Sequence, residues 1–154
     1  MNFQQLAHDM AKVLTEYSSP VQPGEYVTIA GNLFTSMPFV EALYEAILRR
    51  GGIPNVQAAS PVGPDYTPFF EILMREASDT QLDTLDSTVM HWVNQSDALF
   101  FVKAPTNTKM LSTVDPARLA RWRRAIHPFN QTYLSRYHER TLRWTVVGWP
   151  TEAL

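Results

Sequence analysis

Residues 25–59 constrain the fold more than any other stretch. Glu25-Tyr-Val-Thr-Ile-Ala30 is a run rich in β-branched residues that reads as the first strand. Gly31 to Thr35 reads as a loop, after which Ser36 is placed to cap a helix with Pro38 in its first turn. Phe39, Val40, Leu43 and Ile47 form that helix's apolar face. Arg49 and Arg50 suit its negative carboxyl end, and Gly51-Gly52 stops it. Ile53 to Ala59 is then a second strand. Strand, helix and strand in that order make a right-handed crossover, which generates a parallel sheet.

The rest of the chain extends this unit. Phe3, Leu6, Met10, Val13, Leu14 and Tyr17 recur at spacings near three and four, so residues 2–17 are expected to form an amphipathic helix ended by Ser18-Ser19-Pro20. Ser60-Pro-Val-Gly-Pro-Asp65 is a loop at the carboxyl end of the second strand. Two helices should follow, over about 67–77 and 80–95, the second turning Leu82, Leu85, Val89 and Trp92 or Val93 inward. Asp97-Ala-Leu-Phe-Phe-Val102 is the most apolar strand and therefore the central one. Residues 104–114 are a polar loop. Asp115-Pro116 starts a helix whose inner stripe is Leu119, Trp122 and Ile126, and Pro128 ends it. Residues 129–140 are helical again.

The last stretch, Leu142-Arg-Trp-Thr-Val-Val-Gly-Trp-Pro-Thr151, has the β-branched core of a buried parallel strand. Thr151 and Glu152 follow Pro150 as the start of a further helix would. This pattern suits a chain that continues, and it equally suits an edge strand with a frayed tail. The expected fold is α/β, an open, mainly parallel sheet of at least four strands flanked by helices, forming one domain over residues 1–154.

Composition removes several kinds of chemistry. The chain has no cysteine, which excludes disulfides, thiol catalysis and thiolate metal sites, and a reduced cytoplasmic setting is expected. Its start lacks the basic and apolar regions of a signal peptide, and no apolar run is long enough to span a bilayer. Charge is unevenly divided. Residues 1–102 hold 4 basic and 12 acidic side chains, and residues 103–154 hold 9 basic and 3 acidic ones. Either the two halves attract each other or an adjacent domain, or the basic third forms a surface for nucleic acid or an acidic ligand.

Familiar catalytic patterns are missing from the sequence. The first strand–helix turn, Gly31-Asn-Leu-Phe-Thr-Ser36, has one glycine and no dinucleotide fingerprint, and there is no Walker loop or Gly-x-Ser-x-Gly elbow. His8, His91, His127 and His138 show no zinc-binding spacing. His127 is expected in the last turn of its helix. Glu41 and Glu45 share a helix face and suit a solvated surface better than a metal. Open α/β sheets bind ligands beyond the carboxyl ends of their strands. Asn32, Thr35, Ser60, Asp65, Thr106, Asn107 and Lys109 would gather there as possible substrate-entrance loops, with no nucleophile or tuned base among them.

Several stretches in order resemble the N-terminal domain of the aminopeptidase T / aminopeptidase S family of metallo-aminopeptidases. They are Val21-Gln-Pro-Gly-Glu-Tyr-Val-Thr-Ile29, Phe39-Val-Glu-Ala-Leu43, Arg50-Gly-Gly52 and Asp97-Ala-Leu-Phe-Phe101. Val114-Asp-Pro-Ala-Arg-Leu-Ala-Arg121 and Arg143-Trp-Thr-Val-Val-Gly-Trp-Pro-Thr151 complete the set. Leu111-Ser-Thr-Val114 departs from the pattern, which has a glycine there.

The resemblance implies a two-domain, homodimeric peptidase that removes N-terminal residues from peptides. Two divalent metal ions, of zinc or cobalt type, are implied for a C-terminal catalytic domain of the same polypeptide. The resemblance places no catalytic, cofactor-binding or metal-binding residue on these 154 residues, so the chain alone is expected to be inactive. It would supply fold, dimer surface and a wall of the substrate chamber. The competing expectation is a self-contained α/β binding or assembly module that uses its basic third.

Overall fold

The computed structural model describes residues 2–58 and 67–153. Helix α1 (Phe3–Val13) starts at Asn2, whose Oδ1 accepts the Gln4 and Gln5 N–H groups, and it buries Ala7 and Ala11. A π-helical turn (Leu14–Ser18) then leads into strand β1 (Tyr26–Gly31). Helix α2 (Leu33–Arg49) and strand β2 (Ile53–Gln57) complete the first crossover. At the end of α2, Gly51 lies at φ 81° while the Gly52 N–H reaches Ile47 O (3.0 Å) and the Gly51 N–H reaches Leu48 O (2.9 Å). That paired closure is why the double glycine stops the helix.

Helices α3 (Pro68–Glu76), α4 (Asp79–Leu82) and α5 (Ser87–Gln95) precede strand β3 (Ala98–Lys103). A 3₁₀ turn (Met110–Thr113), α6 (Pro116–Ala125), α7 (His127–His138) and strand β4 (Arg143–Gly148) follow. The strands pair in the order β2-β1-β3-β4 and all are parallel, in keeping with the mainly parallel sheet of at least four strands expected from the sequence. β1 and β3 are inside the sheet, and Ala98 through Val102 are all buried.

Three apolar clusters hold the layers together. On one face Val27, Ile29, Phe100 and Val102 pack against Ala7, Ala11, Phe39, Leu43 and Ile47 from α1 and α2. Trp149 closes this cluster, stacked on Phe39 at a centroid distance of 5.2 Å. On the other face Ala30, Leu99 and Phe101 meet Trp92 and Val93 of α5 and Phe129 and Tyr133 of α7. A third cluster, Phe70, Met74, Leu82, Trp122 and Ile126, belongs to α3, α4 and α6 and is separate from the sheet.

Four local expectations are corrected. Asn32, not Ser36, caps α2 by accepting the Phe34 N–H (3.1 Å), so Pro38 lies inside the helix. Ser36 is a buried first-turn residue that donates to Asn32 O. The helix expected over 80–95 is two helices: Asp83 ends α4, and the Asp86 carboxylate starts α5 by accepting the Thr88 N–H. His127 opens α7 instead of closing α6. The terminal β-branched run is an edge strand with Val146 exposed; Val147 and Trp144 alone turn into the two cores. The Thr151 hydroxyl donates to Pro105 O (2.8 Å).

Two consequences are measurable. Gly31 has φ 146°, and a Cβ there would lie 2.1 Å from Val102 O, whereas nothing lies within 4 Å of one at Gly148. Gly31→Ala should therefore lose about 3 kcal/mol or more in urea unfolding, and Gly148→Ala about 1 kcal/mol or less. Burial among aromatic rings raises the Tyr133 phenol well above its ordinary value, and neighbouring Tyr137 adds to the shift. The unfolded chain then releases that proton first, so the stability Tyr133 contributes is complete below about pH 10 and is lost above it. Tyr133→Phe should flatten the alkaline limb of a stability-against-pH curve.

Candidate functional site

In an open α/β sheet the natural ligand crevice lies where successive connections leave a strand in opposite directions. Here that point lies between β1 and β3, since the chain goes from β1 out to β2 and returns to β3 on the other side. The crevice is filled by the protein's own polar groups. Asn32, fully buried, donates from Nδ2 to Ala104 O at 2.8 Å, and the Thr35 hydroxyl donates to the same oxygen at 2.7 Å. Asn32 Oδ1 is occupied at the start of α2, so this one side chain joins helix, strand end and facing loop.

Asn32 and Thr35 thus come together on one carbonyl. Thr106, Asn107 and Lys109 are exposed in the loop after β3, where Asn107 Oδ1 accepts the Lys109 N–H at 2.9 Å. No hydrogen bond among the described residues connects those three to Asn32 or Thr35. Ser60 and Asp65 lie outside the described residues.

A larger opening lies beside β2 and was not legible as a site. Between the separate helical cluster and the α5 side of the sheet is a cavity of about 510 Å³. Phe69, Phe70 and Leu73 of α3, Leu85, Val89 and Trp92 around α5, and Trp122 and Ile126 of α6 wall it. Gln57, Gln81, Thr84, Asp86 and Thr88 supply its polar rim. A second cavity of about 500 Å³ adjoins it between α5 and the ends of β2 and β1 and shares Gln57, Thr88 and Trp92 with the first. Helical spacing marked Trp92 and Trp122 as core, and in the structure Phe69 is exposed beside buried Phe70, giving α3 a second apolar side.

The arginines that made the C-terminal third basic are largely used internally. Arg136 donates from Nη1 to Val93 O, Asn94 O and Ser96 O and from Nη2 to Thr141 O, fastening the end of α5 to α7. Arg118 donates to Met74 O and Ala77 O, and Arg121 pairs with Asp79 and Asp83. Arg143 pairs with Glu25 at 2.5 Å. Arg123 and Arg124 remain exposed.

Metal donors do not converge: among the described residues no three of His, Asp and Glu stand close enough to hold an ion, and Glu45 is paired with Arg49. The implied metal pair therefore has no fitting donor set in the described part of this chain. Among the described residues, no helix is long and apolar enough to cross a membrane.

Fold and clefts together define an α/β layer domain with a sealed switch-point crevice and an open groove at one edge. A sequence model of the thermophilic metalloprotease family M29 matches residues 3–154, and the chain belongs to that family. Among solved structures it is similar to wild-type AmpT from Thermus thermophilus, with a TM-score of 0.74 and 16% identity. The match covers 97% of this chain and 37% of that one, and at this identity it shows the fold. No curated protein sequence matches the chain.

The seal predicts a stability effect. Asn32→Ala removes the α2 cap and leaves Ala104 O with a single partner, so it should cost about 2–3 kcal/mol in denaturant unfolding. Thr35→Val, which removes one hydroxyl, should cost about 1 kcal/mol.

Proposed function

We propose that this chain is the N-terminal, non-catalytic domain of a metal-dependent aminopeptidase that removes N-terminal residues from peptides. In this reading a C-terminal domain of the same polypeptide holds two divalent metal ions of zinc or cobalt type. The present domain supplies a stable base, a homodimer surface and a wall of the substrate chamber. The observation that carries the reading is the pair of matches: the family spans residues 3–154, and almost the whole chain superposes on 37% of a longer structure. Met37, Tyr44 and Leu48, exposed along α2, offer apolar area for a subunit contact. A cytoplasmic setting is in keeping with the lack of cysteine.

The test compares the 154-residue chain with the polypeptide encoded by its natural reading frame, both assayed on leucine p-nitroanilide with Zn²⁺, with Co²⁺ and with chelator. The reading expects metal-dependent hydrolysis from a longer polypeptide and none from the 154 residues. Metal-dependent hydrolysis by the 154-residue chain itself would overturn it.

A further inference from the structure

Polar side chains on the α5-facing side of β1 and β2 form a directed chain. Ser96 Oγ donates to Trp92 O (2.6 Å), so the Thr28 hydroxyl, 2.7 Å away, donates to Ser96 Oγ. Thr28 Oγ1 is then left to accept from Asn55 Nδ2 (3.4 Å), and Asn55 Oδ1 accepts from Gln57 Nε2 (3.2 Å). All donors point toward α5. The chain ends at Gln57, whose Oε1 has no partner among the described residues and whose side chain lines both cavities. An acceptor is therefore presented where the aromatic cavity opens onto the sheet.

Charge narrows the occupant further. Asp86 is the one ionisable residue lining the aromatic cavity among the described residues. Its Oδ1 accepts the Thr88 N–H, and its second carboxylate oxygen has no hydrogen-bond partner among the described residues. An apolar pocket with one anionic edge and one amide acceptor suits a molecule with an apolar body, a cationic amine and an N–H donor.

We propose that this groove binds the amino-terminal end of a peptide. The first side chain, aromatic or branched apolar, fills the cavity at Trp92 and Trp122. Its ammonium is held by Asp86, and a following peptide N–H donates to Gln57 Oε1. The choice of a peptide rests on the aminopeptidase reading, whereas the chemistry of the occupant rests on the groove. The site holds substrate away from any metal and performs no bond cleavage.

The experiment is a titration of the 154-residue chain with Phe-Gly-Gly amide in chelator, followed by tryptophan fluorescence and calorimetry. Saturable binding is expected, weakened about tenfold by Val89→Phe, which fills the cavity, and about fivefold by Asp86→Asn, which keeps the helix cap. Acetyl-Phe-Gly-Gly amide and Gly-Gly-Gly amide should each bind at least about tenfold more weakly. Circular dichroism of both variants checks that they remain folded. No saturable binding, equal binding of the acetylated or glycine peptide, or an unchanged affinity in folded Asp86→Asn would each overturn the proposal. Groove binding without hydrolysis by the longer polypeptide defeats the aminopeptidase reading alone. Hydrolysis without groove binding defeats this one alone.

Discussion

The approach of β1 to β3 is the constraint on which the architecture depends. The two strands run side by side through the middle of the sheet, buried on both faces, and at their carboxyl ends Gly31 meets the Val102 backbone with no room for a side chain. A strand buried on both faces must be apolar at consecutive positions, which is why Ala98 to Val102 lacks alternation. Once that pair is in place, Asn32 and Thr35 reach Ala104 O and set where α2 begins. The helices on the two faces then pack against a surface already defined.

The uneven charge along the chain has an internal explanation. Arg121 crosses to Asp79 and Asp83, and Arg143 crosses to Glu25, so basic residues of the last third meet acidic residues of the first two thirds. Arg118 and Arg136 satisfy helix-end carbonyls instead of carboxylates. A guanidinium has several donors in a fixed plane and can close a helix end that offers orphan oxygens from successive residues. Composition counts such groups as surface charge, although their hydrogen bonds are spent within the fold.

Much of the fold was legible because its signals are local. The glycine pair after α2, the Asp115-Pro116 start of α6 and the apolar run of β3 each depend on neighbours in sequence. Failures occurred where a distant partner decides, or where a local cap interrupts a continuous apolar period. Asn32 and Ser36 are both good caps, and the bond from Asn32 to Ala104, 72 residues away, favours the earlier one. The apolar period across 80–95 is continuous, yet Asp83 and Asp86 turn the chain there through local capping bonds. Thr145 to Val147 has the composition of an interior strand, and only strand order shows it at an edge. The groove beside β2 was least legible of all, because its walls come from α3, α5 and α6 and look like core residues one helix at a time.

The helical cluster of Phe70, Met74, Leu82, Trp122 and Ile126 has its own interior, divided from the sheet by the larger cavity. A unit packed mainly on itself can separate from its neighbour at a lower free energy than the whole molecule needs to unravel. Amide protons in α3 and α4 should accordingly exchange through a smaller opening than those of β1 and β3. The sheet and the helical cluster are thus two packed bodies that face each other across the groove, with Leu85 touching both.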